Sequence, residues 1–313
     1  MRERALEAHP APTNQFDRVR PRVAVPAQRE GDMRTVLTVA GSDSGAGAGI
    51  QADLKSIAAN GAYGLSVLTS VTAQNTRAVT AALALPADII EEQFAAIFAD
   101  FTPAAAKSGM LADTERVEVV ARAMRRYAPP HYVLDPVMVS KSGFPLLEQD
   151  AVDALRTLLL PLAEVVTPNV HEAQLLAGME IHTLADARIA AARILEQGPR
   201  AVVLKGGHLE ERPGTDLLLS AQGARLYEGE FIHTTDTHGT GCTFSAALAT
   251  QLAHGHSLEE AVGLAKAYLT EAIRRAPHLG TGAGPTDHFF YLRSGDPAPW
   301  LERLSVAEQG VAR

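Results

Sequence analysis

Apolar and polar positions along this chain alternate between short β-type runs and longer helical periods. After Met33, residues 35–40 form an apolar, β-branched run, followed by the polar, glycine-rich loop 41–49. Ile50, Leu54, Ile57 and Ala58 then share one face of a 3.6-residue period, which predicts a helix ending near Asn60-Gly61. Residues 65–72 read as a buried strand. Pro86 opens a helix through Ile89, Ile90, Phe94, Ile97 and Phe98, because its fixed φ suits a first helical turn. The alternation continues with a strand near 104–107, a helix at about 113–127 and a strand at 132–134 that ends on Asp135-Pro136. A helix at about 148–159, a strand at 164–167, helices at about 169–177 and 184–197, and a strand at 201–204 come next. Residues 215–232 break the pattern: short β-runs at 216–219, 224–227 and 230–232, with no helix between them, predict an antiparallel edge. Helices at 241–254 and 258–275 close the fold, the second keeping its period through Leu258, Ala261, Val262, Ala265, Tyr268 and Leu269.

Inside 34–292 there is no linker and no repeat. The pattern therefore predicts one α/β domain, a mostly parallel sheet with helices on both faces. Ligands of such sheets gather at the carboxyl ends of the strands, and the informative loops here all follow strands. Residues 1–33 carry Pro10, Pro12, Pro21 and Pro26, scattered charges and no hydrophobic period, so a disordered tail is expected. They lack the apolar core of a secretory signal, and their acidic residues argue against a transit peptide. Met33, directly before the first strand, is a candidate start of translation. Residues 293–313 are expected to form a C-terminal tail.

Composition narrows the function. Of 313 residues, 46% are hydrophobic, enough for a sizeable core. The net charge of -8 argues against a nucleic-acid or anionic-membrane surface. An anionic ligand must then be held by backbone dipoles, a few cations and a metal. The single cysteine excludes an internal disulfide and suits a reducing cytosol. No apolar run is long enough to span a bilayer.

The densest chemistry lies at Gly239-Thr240-Gly241-Cys242, where an Ala-rich apolar helix begins. The first turn of a helix has backbone N–H groups without internal partners, and the macrodipole adds positive potential there. Glycines let an anion come close to that backbone. Cys242 reads either as a small buried hydrophobe or, at a helix start, as a thiolate whose pKa falls from ~8.5 towards ~3.5–7.5. The glycines around it favour the second.

Other positions admit two readings each. Gly45-Ala46-Gly47-Ala48-Gly49 is G-x-G-x-G, not the dinucleotide spacing G-x-G-x-x-G, and no P-loop occurs; it is a flexible turn or a loop folding over a small ligand. Asp135 before Pro136 is a turn former or a carboxylate for Mg²⁺. Asn169 and Glu172, three apart at a helix start, read by spacing alone as a capping box; they also suit Mg²⁺ as oxygen ligands. Lys205, between a strand and two glycines, is a solvated lysine or a phosphate contact. Gln74 ends a strand as a polar turn residue, or offers a donor and an acceptor to an aminopyrimidine or pyridine edge. Met110 is core or pocket wall. The histidines show no metal spacing.

Together these segments carry a resemblance. AGSDSGAGAGIQADLK at 40–55, TAQNT at 72–76, KSGM at 107–110, LDPVMVSKSG at 134–143, VTPNVHEA at 166–173, LKGGH at 204–208, THGTGCT at 237–243 and AKAYL at 265–269 occur in the family's order. Over 34–292 the chain resembles the hydroxymethylpyrimidine and phosphomethylpyrimidine kinases of thiamine biosynthesis, in the ribokinase-like superfamily. The resemblance implies a three-layer α/β/α sandwich without a large lid, ATP and Mg²⁺, and a homodimer. It assigns Gly41, Ala48, Gln74, Met110 and Val137 to a pyrimidine pocket, with Asp53 nearby. Gly239, Thr240, Gly241 and Cys242 match the anion hole over the γ-phosphate, and Asp135, Asn169 and Glu172 the Mg²⁺ and phosphate region. Lys205 and Thr237 match nucleotide-side positions, and Lys266 reaches a phosphate. Ser108 stands where the family often has Thr, and Ala46 where it often has Gly. Sugar kinases of the superfamily place an aspartate base where this chain has Cys242. The implied reaction is phosphorylation of the alcohol, then of the monophosphate. Pyridoxal kinase is the neighbouring alternative, and a non-catalytic pyrimidine-binding module a more distant one.

Overall fold

A computed structural model describes residues 33–139, 146–148, 150–207, 209 and 211–293. The tails expected over 1–33 and 293–313 lie outside the described residues, apart from Met33 and Arg293 at their inner ends.

The strands are β1 (Thr35–Asp43), β2 (Tyr63–Gln74), β3 (Val79–Ala84), β4 (Ala105–Ser108), β5 (His131–Leu134), β6 (Val165–Val166), β7 (Ala201–Leu204), β8 (Asp216–Ser220) and β9 (Gly223–Tyr227). They form one sheet in the order β3-β2-β1-β4-β5-β6-β7-β8-β9. The run from β2 to β7 is parallel, while β3, β8 and β9 pair antiparallel at the two edges. β4 and β7 are buried at every residue, as strands covered on both faces must be.

Side chains alternate along each strand, so one strand feeds two cores. Leu37, Ala106, Leu134, Val166 and Leu204 face one core with Phe94 and Val120; Val36, Ala105, Val133, Val165 and Val203 face the other with Ile57, Phe244 and Val262. The first is covered by α2 (Ala87–Asp100), α3 (Thr114–Tyr127), α4 (Ala151–Ala154), α5 (Val170–Ala177) and α6 (Leu184–Leu195). The second is covered by α1 (Gly49–Ala59), α7 (Thr240–Ala253) and α8 (Leu258–Arg274). The result is the expected three-layer sandwich, with no separate lid domain among the described residues.

Three elements depart from the sequence pattern. β3 was not legible, because its alanine-rich VTAALA carries little strand propensity; it is fixed by pairing with β2. The helix expected over 148–159 is α-helical only in α4, then widens into a π turn at Leu155–Leu159 and tightens into a 3₁₀ turn at Leu160–Leu162. Pro161 has no N–H to continue the ladder. The third β-run at 230–232 is not a strand; it passes beside Gly214 and lines a cavity.

β1 lies between β2 and β4, so the chain leaves β1 in opposite directions on its two sides. That is a topological switch point, with a crevice at the carboxyl ends of the strands. α7 points its N-terminus into the same place. It is buried from Thr243 through Thr250, and Ala246, Ala247 and Ala249 let it sit close against the sheet, as an all-round apolar helix must.

Candidate active site

A cavity of about 1100 Å³ opens at that crevice. The first turn of α7 forms one wall. Its N-cap, Gly239, sits at φ 78, and a Cβ there would stand 1.8 Å from the Gly47 carbonyl oxygen. No side chain caps this helix. Gly239, Thr240, Gly241 and Cys242 all line the cavity; the Thr240 N–H makes a long bond of 3.4 Å to the Thr237 carbonyl, and the rest of this helix start, with its dipole, faces a space that can hold an anion.

Beside this turn stands a charged cluster. Asp135, 1% exposed, accepts from Lys205 Nζ at 3.3 Å on one oxygen and from Ser245 Oγ at 3.1 Å on the other. Asn169 and Glu172 form the capping box of α5: Asn169 Oδ1 accepts from the Glu172 N–H at 2.9 Å, and Glu172 Oε2 from the Asn169 N–H at 2.8 Å. Both nevertheless line the cavity, so the two readings of this spacing are compatible. Burial pushes the Glu172 carboxyl up to about 7; Asp135 adds to this and Lys205 opposes it. Burial alone would lower the Lys205 ammonium, but Asp135 and Glu172 outweigh it and hold it above its ordinary value. Among the described residues no three His, Cys, Asp or Glu side chains gather into a metal cage.

The thiolate expected at Cys242 is corrected. Burial pushes its thiol up to about 12, reinforced by the carboxylates of Asp53 and Asp135, against an opposing pull from Lys107 and the Gly49 N–H. Removal of the sulfur from water outweighs the pull of Lys107 and the Gly49 N–H.

Gly41, Ala48, Gln74, Met110 and Val137, the positions that the resemblance assigns to a pyrimidine pocket, also line the cavity. Gly41 allows a close approach: a Cβ would stand 2.6 Å from Ser70 Oγ and 3.0 Å from Met110 Sδ. Asp53, expected near this pocket, is not among the residues that line it. It is fully buried beneath the cavity, with Lys107 Nζ 2.9 Å from each carboxylate oxygen and Thr38 Oγ1 donating at 2.6 Å. On the third side, Thr237 and Lys266 line the cavity with Phe231, Ile232 and His233. Lys266 is already engaged, donating to Asp216 Oδ2 at 2.8 Å and to the Gly214 carbonyl at 2.7 Å.

Two polar residues in this wall had not been singled out. Asp43 accepts from the N–H groups of Gly45 at 2.8 Å, Gly47 at 3.1 Å and Ala48 at 2.9 Å, and lies 2.8 Å from His238 Nε2. Burial would raise this carboxyl, but the hydrogen bonds from His238, Ala48 and Gly45 hold it below the usual carboxylate range. An Asp opening a glycine-rich loop is an Asx-turn signal. His238, by contrast, announces nothing locally, since its partner lies 195 residues away.

The family model for phosphomethylpyrimidine kinase matches residues 43–287. The hydroxymethylpyrimidine/phosphomethylpyrimidine kinase of Rhizobium meliloti is 49% identical over 81% of this chain and 96% of its own length. The thiamine biosynthesis bifunctional protein ThiED of Geobacter sulfurreducens is 46% identical over 81% of this chain, which spans only 52% of that longer protein. The ADP complex of Bacillus subtilis pyridoxal kinase superposes with a TM-score of 0.78 at 38% identity, covering 84% of this chain and all of that one. Family model, full-length relatives and ribokinase-like neighbours agree, and the chain belongs to the phosphomethylpyrimidine kinase family.

Proposed function

We propose that this protein is an ATP-dependent kinase that phosphorylates 4-amino-5-hydroxymethyl-2-methylpyrimidine and then its monophosphate, giving the diphosphate for thiamine biosynthesis. One observation carries the proposal: the uncapped start of α7 opens into the same cavity as Gln74, so an anion hole and a heterocycle edge face one space.

In this reading the pyrimidine lies among Gly41, Ala48, Gln74, Met110 and Val137. The nucleotide lies along Thr237 and Lys266, with Lys205 on its phosphates and the γ-phosphate over residues 239–242. Phosphoryl transfer depends mainly on positioning and electrostatics, and one oxyanion donor is worth ~10²–10³ in rate. Cys242 faces the reacting hydroxyl as a neutral thiol whose sulfur orients that hydroxyl, and the alcohol proton leaves to a non-bridging oxygen of the transferred phosphoryl group as the new O–P bond forms and the bond to ADP breaks. Asp135 and Glu172 fit a magnesium ion: hard carboxylate donors face the cavity, and the raised Glu172 is the group a cation would return to its charged form. The chemistry such an ion supplies is neutralisation of polyphosphate charge. With so few carboxylates, the rest of its shell would come from phosphates, water and Asn169. The lone thiol suits a cytoplasmic enzyme, and we propose a homodimer.

The test is phosphorus NMR of the products formed from ATP, Mg²⁺ and the hydroxymethylpyrimidine. Mono- and diphosphate signals are expected. Turnover of pyridoxal with none of the pyrimidine would overturn the substrate assignment in favour of the relative's activity.

A further inference from the structure

The polar wall at Gln74 contains a proton-counting problem with one solution. The Asp43 carboxylate is acceptor-only and already receives three backbone N–H groups. His238 Nε2, 2.8 Å from Asp43 Oδ2, must therefore carry a hydrogen and donate it. The same nitrogen lies 3.3 Å from one end of the Gln74 amide. Were that end the NH₂, two donors would face each other. Thr72 supplies a second, independent constraint at the other end. Its hydroxyl lies 2.9 Å from the Ser42 carbonyl, which can only accept, so its single hydrogen is committed there. Thr72 Oγ1 can then only accept from the amide end 3.1 Å away. Both constraints select one orientation: amide oxygen on His238 and NH₂ on Thr72, the reverse of the order in which the two atoms are placed. The two ends of a carboxamide are nearly isoelectronic, and the hydrogen-bond network assigns them.

We propose that His238, held by Asp43, is a positioning residue for specificity: it fixes which end of the Gln74 amide is donor and which is acceptor. With its oxygen sharing the His238 Nε2 hydrogen with Asp43 in a three-centre bond, the 3.3 Å arm being the longer, and one amide hydrogen on Thr72, Gln74 keeps one N–H and one lone pair for the cavity it lines. Their order is set before any ligand arrives. A heterocycle with an amino group next to a ring nitrogen offers the complementary pair. One that lacks the amino group leaves the Gln74 oxygen without a donor. The inference deepens the pyrimidine reading of the cavity and rests on it.

The experiment compares kcat and KM on the hydroxymethylpyrimidine and on its analogue lacking the 4-amino group. His238→Phe removes the donor while filling the space, and His238→Gln keeps an N–H at similar reach. Losing one oriented hydrogen bond is expected to raise KM for the amino substrate by about 5–20-fold, with kcat changed less. The preference over the analogue should collapse, and His238→Gln should restore most of it. In a Gln74→Leu background His238→Phe should add nothing. An equal loss on both substrates, or additive losses in the double variant, would overturn the inference while leaving the kinase reading intact. Failure of the unaltered protein to phosphorylate either pyrimidine would instead defeat the underlying reading. Should His238→Phe not fold, neutron diffraction of the perdeuterated protein decides alone: deuterons on the amide end facing Thr72 support the proposal, and deuterons on the end facing His238 refute it.

Discussion

Two helices begin in the same cavity and use their free N–H groups in opposite ways. α5 closes its own end, with Asn169 and Glu172 exchanging hydrogen bonds in a reciprocal box. α7 begins on a left-handed glycine with no side-chain cap. The first arrangement fills two of its N–H groups internally and leaves a carboxyl beside the cavity. The second leaves donors and dipole available to an outside anion. The cavity thus has one wall suited to phosphate oxygens and one suited to a cation, built from the same backbone feature. The lesson is that a helix start becomes an anion site when the sequence withholds a cap, not merely because a helix begins there.

The contrast can be broken most severely at Gly239. Gly239→Ala forces a side chain into the left-handed region and against the Gly47 carbonyl, where a Cβ would stand 1.8 Å away. A fall of ~10²–10³ in kcat/KM is expected, with the protein still folded by circular dichroism. Near-normal activity would mean that the shape of this turn is unimportant.

Cys242→Ala comes next. A thiol pushed up to about 12 stays protonated over the whole working range of pH. The rate profile of the parent should therefore show no rising limb belonging to a cysteine, and alkylation by iodoacetamide should be slow at roughly pH 8. We expect kcat to drop by ~10² as the reacting hydroxyl loses the group that orients it. A loss of only a few-fold would restrict Cys242 to shaping the wall.

Glu172→Gln probes the capped helix through pH. The folded-state value of Glu172 is raised from 4.5 to about 7, so the fold favours the protonated form. The stability linked to this group is fully present below 4.5 and is lost as pH rises through about 7. Gln keeps an oxygen for the Asn169 N–H but cannot ionise. Its stability relative to the parent should therefore grow across that window, by at most on the order of 3 kcal/mol. Urea melts at several pH values, without metal, measure this; a flat difference would show that Glu172 is solvated. The smallest effect is expected for Asn169→Ala, which removes one cap at a cost of about 1 kcal/mol in the same melts.

How much of this was legible beforehand depends on how local the signal is. The capping box, the glycine turn at 239–241 and the strand run at 201–204 are read within a few residues, and each lies where the pattern put it. Gly41, Ala48, Gln74, Met110 and Val137 were grouped only through resemblance, since nothing in their spacing says that β1, β2 and β4 end side by side. The burial of Asp53 was not legible for the same reason. A carboxylate near a pocket in sequence can point beneath it, and its partner Lys107 lies 54 residues away.

The sequence alone determined the alternation of strands and helices, because periods of two and of 3.6 residues are local consequences of backbone geometry. It also determined that α7 would begin uncapped, because that depends on which residues stand at 239–242. Only the tertiary structure decided the protonation state of Cys242, the burial of Asp53 and the pairing of His238 with Asp43 and Gln74. Electrostatic environment and hydrogen-bond partners depend on which distant segments the sheet order brings together, and no local pattern records that order.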